Sequence, residues 1–157
     1  MSFPALILLS GEWDLYLNEI YAQYMEDIVV NRKHLRGKPV QARYNPSTDG
    51  KGFCFWHVIS EGSEETERVP DLRRCERIRW IGWMIEKANS ADPQIRSLPS
   101  TRTLKRGTVE RLVLWCPEAS YVVILEERTE YFLLVTAYQA QGHRAKKLQA
   151  EWEITQK

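Results

Sequence analysis

His57 follows the aromatic run Phe53-Cys54-Phe55-Trp56, and the arginines Arg73, Arg74 and Arg77 come shortly after it. An imidazole exchanges a proton near neutral pH, and a guanidinium holds phosphate oxygens through its fork of N–H donors. Thr136 and Tyr138 stand two apart in a β-branched and aromatic run, so they project from one face of a strand. His143 is a second imidazole. These residue types suffice for metal-free phosphodiester chemistry. Attack of an RNA 2′-hydroxyl on the adjacent phosphate needs a base for the hydroxyl and an acid for the leaving oxygen. It also needs cations or donors around the developing phosphorane charge.

Other chemistries find less support. The chain has no phosphate-binding loop, dinucleotide glycine fingerprint, HExxH or nucleophile elbow. Cys54-x-x-His57 with Cys75 supplies three soft ligands, but no Cys-x-x-Cys pair completes a zinc site, and neither a metal nor a cofactor is expected. Glu64-Glu65 and Glu126-Glu127 are adjacent in sequence, which places them in a solvated loop or on opposite faces of a strand. Trp56, Trp80 and Trp83 suggest an aromatic pocket, although core packing accounts for them more simply. Each leading candidate also has a structural alternative. His57 would serve as a hydrogen-bonded boundary residue, Thr136 and Tyr138 as strand formers, and the three arginines as a solvated helix face paired with Glu76.

The elements that must position these residues read as a single α+β domain, 1–157. Apolar residues make up 43% of the 157, enough for one core. Trp13, Leu17, Ile20, Tyr24 and Ile28 recur at helical spacing, predicting a helix over residues 11–30 with Ser10 as its N-cap. Residues 31–43 are basic with no acid, read either as a solvated helix end and loop or as a phosphate-facing rim, and 45–50 are turn chemistry. The FCFWHVI stretch fits a short strand or a buried helical turn, and the acidic residues after it an exposed loop. Val69-Pro70-Asp71 starts a helix whose periodicity fails near residues 79–82, predicting a break there and a second buried segment. Residues 88–107 read as a flexible loop tipped with Arg102, Lys105 and Arg106. Residues 108–115, 121–127 and 131–138 form a three-stranded antiparallel meander covered on both faces, and 143–152 a final helix.

Twenty-two Lys and Arg against twenty-one Asp and Glu leave a net charge of +1, so attraction to a polyanion must come from local clusters. Three cysteines, and an opening apolar run of only five residues, lead us to expect a cytoplasmic protein with no bilayer-spanning segment.

FWHVISEG, then VPDLRRCERIRW, then RLVLW, YVVILEER and YFLLVTAY followed by HRAKKLQAEWE, resembles the small phage- and mobile-element-encoded nucleases of the barnase, EndoU, colicin and RelE superfamily. The resemblance spans residues 53–153. It implies N-terminal helices packed on a curved antiparallel sheet with a C-terminal helix, and a metal-independent endoribonuclease acting as a toxin or phage-encoded effector. By the same resemblance His57 is the general acid or base, Thr136 and Tyr138 contact or orient the scissile phosphate, and Arg111 and Arg144 stabilise charge. RNA is then the partner, joined by a protein inhibitor if the enzyme is a toxin. The nucleic-acid-binding groups are Arg73, Arg74, Arg77, Lys105, Arg106 and Arg144. The alternative is a non-catalytic module that holds nucleic acid or an acidic protein through the basic segment Arg32 to Arg43 and the helix of Arg73, Arg74 and Arg77.

Overall fold

The computed structural model describes residues 3–62 and 68–157. The acidic stretch read as a loop lies largely outside them, as does the Glu64-Glu65 pair. An extended opening segment is pinned to the body: Ile7 N donates to the Glu76 carbonyl at 3.0 Å, and Tyr16 and Trp80 donate to the carbonyls of Ile7 and Pro4. Helix α1 (Trp13–Tyr24) buries Leu17, Ile20 and Tyr24 as its periodicity predicts, but Tyr16 is buried in place of Trp13, which is exposed; the helix continues as a wider π-helical stretch, Met25–Val30, that buries Ile28. Its N-cap is Glu12, with no side-chain cap bond, and not Ser10. Gly11 takes φ 77° just before, so the chain turns into the helix two residues later than expected.

The basic segment forms a small hairpin, β1 (His34–Leu35) and β2 (Lys38–Gln41), closed through Arg36 and Gly37 at positive φ. FCFWHVI is helix α2 (Phe53–Ile59), which buries Cys54, Phe55, Val58 and Ile59. Short strands β3 (Ser60–Glu61) and β4 (Val69–Pro70) pair antiparallel. Asp71 then caps α3 (Leu72–Glu76) by accepting from Arg73 N at 2.9 Å. The predicted break falls earlier than 79–82, at Arg77 (φ −101°, ψ 20°), and α4 (Ile78–Asn89) starts directly after it. Counted from Ile78, the apolar positions Ile78, Ile81 and Ile85, with Trp80 and Met84 beside them, make one continuous buried stripe.

Residues 88–107 are not a loop. They finish α4, turn, and form β5 (Arg96–Leu104), paired along its whole length with β6 (Gly107–Cys116). The remaining strands are β7 (Tyr121–Glu127) and β8 (Phe132–Gln139), followed by α5 (Gly142–Thr155). The main sheet runs β1-β2-β8-β7-β6-β5, antiparallel except for the β2–β8 pair. The fold is α+β. One face of the sheet, through residues such as Leu114, Val123, Leu125 and Phe132, packs with α1, α2 and α4 into the main core. The opposite face packs Leu98, Val113, Trp115, Val122 and Ile124 against Leu148 and Trp152 of α5. Both faces are therefore covered over much of their area, as the near-continuous apolar strands require. No helix among the described residues is long and apolar enough to cross a membrane.

Candidate functional site

Helix α5 covers only part of its sheet face. Arg111 is the Cα partner of Glu126, and Glu126 that of Leu133, so these three lie in a row on that face, with Arg102 on the neighbouring strand. Strand β2 pairs with β8 only as far as Leu133, and beyond that point α2 packs against β8, with the Cys54 thiol donating to the Leu134 carbonyl at 3.4 Å. This seating brings His57 to the same hollow, of about 430 Å³, as Arg102, Arg111 and Glu126. Arg43 completes it. Its guanidinium carbon stands 4.8 Å from the centre of the Phe53 ring, and its carbonyl accepts from Cys54 N at 2.9 Å, tying the end of the basic segment to the start of α2.

The hollow is cationic. Three guanidiniums face one carboxylate, and Glu126 already accepts from Arg128 at 3.0 Å. Burial lowers the pKa of Arg111, the charge of Arg102 lowers it further, and Glu126 offsets this only in part. Arg111 Nε is buried without a hydrogen-bond partner among the described residues. A half-buried guanidinium held next to another, with a donor unused, suits an anion whose oxygens accept several N–H bonds at once.

A second hollow, of about 270 Å³, lies at the far end of β8. Here the Tyr138 hydroxyl accepts from Arg144 Nε at 2.9 Å, and the Arg74 guanidinium sits 5.6 Å from the Tyr138 ring. Arg73, Arg74 and Arg77 line it with the carboxylates of Asp71 and Glu61. Two of these arginines also hold the backbone. Arg74 donates to the Ser60 carbonyl at 2.5 Å, and Arg77 donates to the Arg73 carbonyl at 3.0 Å while covering the Trp80 ring. The expected pairing with acids is also present, Arg77 standing 3.7 Å from Glu76 and Arg74 3.9 Å from Asp71, and the backbone bonds add to it. Burial pushes the Tyr121 phenol at this hollow up, and the charges of Arg74 and Arg77 oppose that shift.

The four residues expected to work together are therefore divided. His57 and Arg111 meet in the first hollow, and Tyr138 lines the second with the arginine helix. Thr136 shares the sheet face with Tyr138, as their partners Ile124 and Val122 show, but lines neither hollow. Lys105 and Arg106 form the exposed β5–β6 turn and His143 lies exposed in the first turn of α5, all three outside both hollows. The division is one of distance along β8. Leu133 pairs with Glu126 and Tyr138 with Val122, so the two stand toward opposite ends of the strand, while a β-bulge at Val135, where the register passes from Leu125↔Leu134 to Ile124↔Thr136, keeps Thr136 and Tyr138 on the face of Leu133.

Arg43, Arg102 and Glu126 complete the first hollow and were not among the expected site residues. Arg43 ends the acid-free basic segment immediately before the turn into α2, which is the one signal that points to it. Glu126 was set aside with Glu127 as an adjacent pair, although strand alternation separates the two and leaves Glu126 buried. The cysteines Cys54, Cys75 and Cys116 are buried, and burial pushes the first two thiols up to about 12. Among the described residues no group of three His, Cys, Asp or Glu side chains is arranged around a common metal position. No family model, curated protein or solved structure matches the chain.

Proposed function

We propose that the hollow between α2 and the uncovered end of the sheet is the phosphodiester site of a metal-independent endoribonuclease. The observation that carries the reading is the lining of that hollow: one imidazole, one carboxylate and three guanidiniums. These are the groups that transesterification by the RNA 2′-hydroxyl requires. Glu126, as a carboxylate, takes the proton from the 2′-hydroxyl. His57 delivers one to the departing 5′-oxygen. Arg43, Arg102 and Arg111 stabilise the charge gathering on the phosphorane oxygens, and Arg111 does so with a donor that has no other partner among the described residues. The order of elements, helices first, then an antiparallel meander and a last helix, agrees with the architecture implied by the resemblance to the barnase, EndoU, colicin and RelE superfamily. Kinship with that superfamily, and a toxin or phage-effector role in the cytoplasm, belong to the same proposal.

The test is cleavage of a fluorogenic RNA oligonucleotide in EDTA by the purified chain. His57→Ala and Glu126→Gln should each lower kcat by about 100-fold or more with folding retained. Unchanged cleavage in His57→Ala would remove His57 from the reaction. A second reading, a binding module without turnover, is favoured by the commitment of the Tyr138 hydroxyl to Arg144 and by the position of Thr136, which leave two expected catalytic groups outside the hollow. It predicts RNA binding that weakens steeply with salt and no cleavage.

A further inference from the structure

His57 borders a second cavity on its other side. This hollow, of about 480 Å³, shares Pro46, Phe53 and His57 with the cationic one and differs from it in chemistry. Its own walls are Trp56, Pro70, the Thr48–Asp49 turn and Arg68. Phe53, Trp56 and His57 stand at i, i+3 and i+4 of α2, so the helix presents all three along one side. The Trp56 ring is fixed by its Nε1–H, which donates to the Thr48 carbonyl at 3.0 Å. The turn that accepts this bond is itself closed by paired backbone bonds between Thr48 and Lys51 at 2.9 Å. Arg68 closes the opposite side, donating to the His57 carbonyl at 3.0 Å and to the Gly62 carbonyl at 2.8 Å. The cavity therefore has an aromatic platform held in place before any ligand arrives, with the Asp49 carboxylate at its rim as an acceptor.

We infer that this cavity is the nucleobase pocket for the nucleotide whose phosphate occupies the Arg43–Arg102–Arg111 hollow. The inference rests on the phosphodiester reading and extends it to the rest of the nucleotide. A base and its phosphate are held apart by one ribose, so their sites must be adjoining and chemically opposite, one flat and apolar with a few polar groups, the other cationic. The two cavities meet that condition, and the imidazole is one of the three residues they share. A base stacked on Trp56 would set the ribose against His57, which fixes the 2′-hydroxyl and the leaving oxygen relative to the proton-transfer groups. The substrate is thereby single-stranded RNA, because a paired base is not free to enter.

Calorimetric titration of the purified chain tests this with the four nucleoside 3′-monophosphates, ribose 5-phosphate, inorganic phosphate and the four free nucleosides. At least one nucleotide should bind about 10-fold or more tightly than ribose 5-phosphate. Trp56→Leu should abolish that gap while leaving the affinity for ribose 5-phosphate unchanged, and Trp56→Phe should keep most of it. The wild-type comparison stands alone if Trp56→Leu does not fold. Equal binding of every phosphate regardless of base would overturn the base pocket and leave the phosphate site standing. Binding of nucleosides without any binding of phosphates would do the reverse. No binding of any of them overturns both.

Discussion

Replacing Arg111 by methionine should make the protein more stable and its site inert. The guanidinium is half-buried on a strand whose next neighbours point into the core, burial and the charge of Arg102 both oppose its ionised form, and its Nε has no partner among the described residues. Arginine keeps its proton throughout the working pH range, so this cost is a fixed destabilisation and not a pH-dependent one. Glu126 returns part of it, but that carboxylate is already bonded to Arg128. The group remains in part solvated, which screens the repulsion and holds the net penalty to about 1 kcal/mol. Methionine keeps the apolar stem and removes the charge. For a chain of 157 residues such a gain raises Tm by ~2–4 °C. Inorganic phosphate should stabilise the wild type and not the methionine variant. At a concentration 100-fold above its Kd, a ligand adds about 2.7 kcal/mol to the wild type, several degrees in Tm, and the methionine variant should lose that increment. Thermal denaturation followed by circular dichroism, with and without phosphate in a non-binding buffer, reads both quantities. A variant less stable than the wild type would mean that Arg111 is held as a structural partner of Glu126. A phosphate shift that survives the substitution would place the anion elsewhere.

Phe55→Ala should cost about 3–5 kcal/mol, because the ring is fully buried and packs edge-on against Tyr21, Tyr24 and Trp56; chemical denaturation measures it, and a loss below about 1 kcal/mol would contradict the packing. Asp71→Ala should cost about 1 kcal/mol through loss of the α3 cap, and Asp71→Ser should restore most of it in the same assay. Under native conditions at pH 8 none of the three cysteines should react with a thiol reagent, since burial raises all three thiols, whereas all three should react in denaturant; one fast native equivalent would show that the packing around it opens. Arg144→Ala should reduce the salt slope of RNA binding by about 1 if the second hollow takes part, and by nothing if Arg144 only anchors Tyr138.

What could be read beforehand was what local periodicity encodes. Helix α1, the strands β6, β7 and β8, helix α5 and the Asp71 cap follow from spacing and capping chemistry that each segment carries in itself. Strand β5 escaped because its outer half is exposed on both faces, leaving Leu98 as its one buried residue and no alternation to detect. Pro99 also argued against a strand, yet β5 pairs only with β6 and so lies at the sheet edge, where a missing donor is tolerated. The β1–β2 hairpin could not be read because β2 is held by a parallel pairing with β8, ninety-odd positions away in sequence for Val40 and Phe132, and nothing local to 38–41 announces that partner.

The site failed in a more informative way. Thr136 and Tyr138 do share a face, as strand alternation requires, and His57 does reach the strand that carries them. It arrives at Leu133 to Val135, while Tyr138 lines a different hollow toward the other end of the strand. The bulge at Val135 keeps Leu133, Thr136 and Tyr138 on one face and leaves no mark in a period-two pattern. The two ends of β8 also hold their arginines differently. At the end that α5 leaves uncovered, where the phosphodiester site is proposed, Arg111 Nε has no partner among the described residues, while at the other end Arg74 and Arg77 donate to backbone carbonyls and Arg144 to Tyr138, with Arg77 Nε also left without a partner among the described residues. Of the charge cluster conspicuous in the sequence, Arg74 and Arg77 clamp the backbone, and Arg73 lies exposed. The cations of the proposed phosphodiester site come instead from Arg43, Arg102 and Arg111, each from a different segment and brought together only by the fold.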